Sequence, residues 1–221
     1  MSRDISLHPL FDDANSVVSD AASLQALAHP LRLRLLAILR RFGPSTATRL
    51  AERCGTSSAS TSYHLRILAN AGFISDADAD AIPGGVTHAR DRWWNAVHDS
   101  TLAWSPERSE DVVAANSEYS TAIAAMYAER VRAWLAVQHS WPQEWREAST
   151  FSDASLFLSP PEAEVLKHRI ASVIATFRRH QRGLVAAEGD VPPGAMIVSA
   201  QYSVFADPDQ DIPRRLGTNS E

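Results

Sequence analysis

The sequence predicts a mainly α protein with a small β component, an α+β chain, and three observations carry that prediction. Apolar residues recur at helical spacing in most segments, as in LQALAHPLRLRLLAILRRF, and residues 112–134 keep that spacing over about six turns. Arg49 to Ile74, RLAERCGTSSASTSYHLRILANAGFI, reads as a helix, a tight turn at Gly55 and a second helix. Strand signals are few and short, near residues 86–94 and in the alternating run Met196 to Phe205. With 221 residues and 45% hydrophobic content the chain is large enough for a real core.

Taken in order, residues 1–20 form an N-terminal arm whose Leu7, Leu10, Phe11, Val17 and Val18 are apolar enough to pack on a partner helix or a second subunit. Asp20 is a good N-cap for a first helix, and Pro30 suits the first turn of a second, where its missing amide costs nothing. The spacing there predicts a buried stripe of Leu31, Leu35, Ile38 and Leu39, stopped by Gly43-Pro44. A short helix runs from Ser45 to Cys54. Cys54 is the one cysteine, which excludes an intramolecular disulfide, and it reads as a structural thiol rather than a reactive one.

The helix that starts near Ser58 is two-sided. Thr61, His64, Leu65 and Leu68 share one side, and Ser58, Ala59, Ser62, Tyr63 and Arg66 the other, with Ser57 as cap. Short hydroxyl side chains let a helix backbone sit deep in a major groove, and Tyr63 and Arg66 can reach phosphates or base edges. An exposed serine-rich face is also an ordinary solvated surface. Charge favours the first reading: residues 1–20 carry −3, residues 21–94 carry +4 and residues 95–221 carry −6, within a total of −5. The positive field is local to the helix pair, as expected where one part of a chain meets phosphate.

These residues, together with LAHPLRLRLLAIL, LAERCG, TSYHLRILANAGFI and the returning stretch VTHARDRWWNAV, resemble the winged helix-turn-helix domain of ArsR/SmtB-type transcriptional regulators over residues 24–97. The resemblance implies double-stranded DNA as partner, a homodimer on a palindromic operator, and repression relieved by an effector. Metal-sensing members begin the short helix with paired cysteines; Thr46 and Thr48 stand at the matching positions, so no metal is expected. SDADADAIPGG reads as the end of one strand and the wing loop. Its alternating aspartates suggest calcium, but Ala81 and Thr87 occupy the loop's glycine and glutamate positions. On the returning strand, His88, Arg90 and Arg92 share one face toward DNA, and Trp93 and Trp94 anchor the wing.

Residues 98–150 are expected to be a helical dimerisation region, with Ala115, Tyr119, Ile123, Met126, Tyr127, Val131 and Trp134 as its stripe. Tyr127, Trp134, Trp141 and Trp145 are candidate lining for an effector pocket, although core or dimer interface accounts for each as well. Residues 151–211 are expected to form a β-α-β unit: a strand at Ser155 to Leu158, a helix opened by Ser159-Pro160-Pro161-Glu162, and a strand from Met196 to Phe205. Arg178, Arg179, His180 and Arg182 suit the end of that helix better than a second phosphate site. Residues 212–221 read as a flexible tail.

No glycine-rich phosphate loop, His-Glu-x-x-His pattern or nucleophile elbow occurs, which argues against an enzyme and leaves no cofactor to expect. No apolar run suggests a membrane partner, and the opening MSRDISLHPLFDD is unlike a signal peptide, so the expected location is cytoplasmic. A DNA-binding regulator, in all expectation a repressor, is the first reading. A winged-helix module that binds proteins instead is the second, with the acidic wing as its best support.

Overall fold

A computed structural model describes residues 15–18, 20–82, 92–98, 100–103, 109–177 and 194–209. Strand β1 (Asn15–Val18) is followed by α1 (Ala21–Leu27), whose N-cap Asp20 accepts the Ser23 amide at 2.8 Å. That bond is the chief reason the Asp20 carboxyl titrates below its usual range. Helix α2 (Pro30–Phe42) is capped by the His29 imidazole, whose Nδ1 accepts the Leu31 amide at 3.1 Å, and it ends at Gly43 with φ 74°. Its fully inward residues are Leu33, Leu35, Leu36 and Leu39. Leu31 and Ile38, expected in the stripe, are only partly covered, while Leu33 and Leu36, outside it, are buried because several helices pack against α2.

After α2 come β2 (Ser45–Thr46), α3 (Ala47–Cys54), α4 (Ser58–Asn70), β3 (Ile74–Asp76), β4 (Trp93–Ala96) and β5 (Ser100–Ala103). The antiparallel sheet has the order β2-β4-β3, with Thr46 opposite Trp93 and Asp76 opposite Trp94. Strand β1 pairs in parallel with β5, Asn15 facing Ser100. This corrects one expectation: residues 100–103 of the expected helical region form a strand, because they find a backbone partner in β1, and the helix described after them begins at Glu110. The end of the arm pairs with the chain's own β5, and Leu7, Leu10 and Phe11 lie outside the described residues.

Helix α5 (Glu110–Val137) packs across α1 and α2 and buries Val112, Ala115, Tyr119 and Ala122. Ala115 and Tyr119 of the expected dimer stripe are therefore spent inside one chain; Ile123 and Met126 lie partly buried against the same core. Burial raises the Tyr119 hydroxyl to a pKa of about 12. Helix α6 (Gln143–Glu147) and helix α7 (Pro160–Phe177) complete the order. In the first turn of α7, Glu162 accepts both the Ser159 amide (2.8 Å) and hydroxyl (2.6 Å), so the predicted start signal is used.

The expected β-α-β unit keeps only its helix. Residues 155–158 and 196–205 form no strand, since neither segment pairs with a backbone edge among the described residues. Alternation recorded their two-sidedness, but a strand needs a ladder. The arginine cluster at 178–182, the wing residues 83–91 and the tail lie outside the described residues.

Candidate nucleic-acid interface

Helices α3 and α4 are joined by three residues, and each solves a backbone problem. Thr46 Oγ1 caps α3 by accepting the Arg49 amide at 3.3 Å. Gly55 adopts φ 64°, ψ 38°, a left-handed conformation that a side chain would strain, and it lets Thr56 donate to the Ala51 carbonyl at 3.0 Å while Gly55 donates to Glu52 at 3.3 Å. Ser57 then caps α4, accepting the Ser60 amide at 3.1 Å. Thr46 and Thr48 thus flank a helix start, one as its buried cap and the other exposed.

The two sides of α4 separate as its spacing predicts. Thr61, Leu65 and Leu68 are 0% exposed and His64 is 9% exposed, whereas Ser57, Ser58, Tyr63 and Arg66 are exposed and Ser62 is half-buried. The buried leucines join α2 and α3 in one cluster, which fixes the helix's rotation and points Tyr63 and Arg66 outward. No described residue forms an ion pair with Arg66. A guanidinium on the outward side of a helix has the geometry to meet phosphate or guanine.

A match to the family described as "Helix-turn-helix domain" covers residues 27–76. Over 62 residues the chain is 42% identical to the HTH-type transcriptional regulator NmtR of Mycobacterium tuberculosis. Residues 27–76 form a helix-turn-helix domain. The aligned part is 28% of this chain, and the chain spans about half (51%) of that relative. Two structures of a mutant Lactococcus lactis ZitR align at 15% identity and a TM-score of 0.26, over 67% of this chain and 74% or 82% of theirs, which is too slight a likeness to add to the argument.

The wing of this helix-turn-helix differs from expectation at Arg92. Its guanidinium bonds both oxygens of Asp76, at 2.6 and 3.1 Å, and lies 3.9 Å from the Trp94 ring. The Arg92 bond holds the Asp76 carboxyl below its usual range. Arg92 therefore sits as half of a neutral pair, and His88 and Arg90 lie outside the described residues. Trp93 and Trp94, each 4% exposed, anchor the sheet. Two cations that sequence reasoning passed over flank the domain instead: Arg49 lies 4.8 Å from the Trp93 ring and Arg53 lies 4.3 Å from Phe42. Their helix positions were legible, but ring stacking between distant segments has no local signature.

Sequence reasoning also missed a histidine pair behind α4. The His29 and His64 rings lie 4.4 Å apart, with the Tyr63 ring against His64 and Arg32 nearby. Burial lowers both pKa values, and Arg32 lowers them further; for His64 the His29 charge adds to this. The sign follows: the unfolded chain takes up these protons more readily, so stability holds above about pH 6.5 and falls as pH drops below it. Thermal midpoints should decline between pH 7 and 5, and His64→Gln should flatten that decline. Parallel profiles for the two proteins would show that the pair is not responsible.

Of the aromatics expected to line an effector pocket, Trp134, Trp141 and Trp145 come together, with ring centroids 5.2 and 6.5 Å apart. Tyr127 does not join them; burial and the neighbouring Tyr202 raise its pKa. Among the described residues no group of three His, Cys, Asp or Glu could hold a metal ion, and no helix is long and apolar enough to cross a membrane.

Proposed function

We propose that this protein is a sequence-specific transcriptional regulator, a repressor, that reads double-stranded DNA through α4 as a homodimer. The carrying observation is the rigid placement of Ser57, Ser58, Ser62, Tyr63 and Arg66 on the outward side of a helix that is clamped by Leu65 and Leu68. One such helix reads only a few base pairs; two related by a two-fold axis about 34 Å apart read a palindrome. Support for the dimer comes from the outer face and far end of α5, where Val113, Leu135 and Val137 remain 57%, 45% and 45% exposed. The similarity to a transcriptional regulator supports a cytoplasmic, non-enzymatic role. A small-molecule effector is part of this reading, with Trp134, Trp141 and Trp145 as one candidate lining and Tyr127, two helical turns before Trp134, as another candidate contact.

The test is selection of bound duplexes from a random library by the purified full-length protein. An enriched sequence with two-fold symmetry is the expected result, with affinity that falls linearly on a log scale with salt. Absence of any enrichment would turn the reading toward a winged-helix module that binds protein, which the neutralised Arg92 favours.

A further inference from the structure

Two guanidiniums converge on one neutral oxygen at a surface far from α4 in sequence. Arg41, on the last turn of α2, donates to Ser199 Oγ at 3.1 Å, and Arg130, on α5, donates to the same oxygen at 2.6 Å. Both cations are half-buried, and no carboxylate among the described residues pairs with either one. The nearest acid in sequence, Glu129, is turned to Arg34 at 3.9 Å. Like charges brought to one atom repel, and a hydroxyl returns only a dipole, so among the described residues the pair lacks the countercharge that partly desolvated guanidiniums ordinarily have. Burial accordingly disfavours the charge on Arg130. Tyr127 lies one helical turn before Arg130 on α5, and Tyr202, three residues after Ser199, is close enough to influence Tyr127.

We propose that Arg41 and Arg130 form a receptor for a small oxyanion, which takes the place now held by Ser199 Oγ, with Tyr127 and Tyr202 beside the rest of the ligand. Two forked donors from different helices suit the two oxygens of a carboxylate or the edge of a phosphate. Binding would displace residues 194–209 from their seat and draw α2 and α5 toward one charge. Since α2 belongs to the DNA-binding domain and α5 leads out of it, the site lies on the joint through which a ligand would act on DNA affinity. Anion capture stands by itself; its effect on DNA rests on the function proposed above, so the two are measured separately.

Sodium benzoate and inorganic phosphate, each titrated into the full-length protein at constant ionic strength, give the test and distinguish the two sources of the oxyanion. A saturable rise in thermal midpoint of roughly 5 °C at a hundredfold excess over Kd is expected for at least one of them. Arg41→Gln and Arg130→Gln should each weaken that binding about tenfold. Ser199→Asp guards against variants that fail to fold, because it supplies the missing charge from within the chain: its midpoint should rise and its response to both anions should vanish. No saturable response in the wild type, or a Ser199→Asp protein that is no more stable and responds as the wild type does, would overturn the receptor. If anions bind as predicted but leave DNA affinity unchanged, the receptor stands and its link to regulation is refuted.

Discussion

Leu65→Ala is expected to cost roughly 2–5 kcal/mol of folding stability, a large share of what a domain has. Leu65 is 0% exposed at the centre of the inner side of α4, where it meets the same cluster as Leu36, Leu39 and Leu50. Truncation leaves a cavity that the flanking helices cannot close without shifting α4, and that helix's rotation is what sets the outward residues. Tyr63→Ala is the internal control: two positions away and 59% exposed, it should change stability by no more than about 0.5 kcal/mol. Urea denaturation of both proteins measures the contrast. Equal midpoints for the two variants would mean that α4 is not clamped to the core as described.

Arg66→Ala should weaken DNA binding by roughly 1–3 kcal/mol while leaving the denaturation midpoint unmoved. The reasoning is positional, since Arg66 follows Leu65 on a helix whose inner side is fully occupied and its guanidinium faces away from that side. Titrating the folded variant at several salt concentrations separates two modes of contact. A smaller salt slope marks a lost phosphate contact, and a relaxed preference at one base pair marks a lost base contact. Unchanged affinity in the folded variant would remove α4 from the interface.

The winged helix was legible in the sequence because each of its decisions is local. Asp20, Ser57, Gly43 and Gly55 cap or end helices within three or four residues, and Leu65 and Leu68 keep helical spacing. The outward set on α4 followed from the same periodicity. What escaped was long-range. Arg92 with Asp76, His29 with His64, and Arg41 with Arg130 and Ser199 each depend on how separate elements come to lie, and no spacing rule carries that information. Residues 196–205 show the opposite error: their alternation is real, but no strand edge among the described residues receives it.

The parallel pairing of β1 with β5 has a consequence in time. During synthesis Asn15 leaves the ribosome early, while Ser100, its partner, is added only after every helix of the winged domain has been made. Closing a loop of that length carries an entropy cost that local helix contacts avoid, and a two-stranded parallel pair returns little per residue. The pair should therefore form late, after α1 to α4 have condensed, and it should be among the first contacts to open. Arg40 supports the late partner by donating to the His98 carbonyl and the Thr101 hydroxyl, each at 2.8 Å. Amide hydrogens of residues 15–18 should accordingly exchange faster than those of α4, which makes the N-terminal strand a latch on a domain that is already folded beneath it.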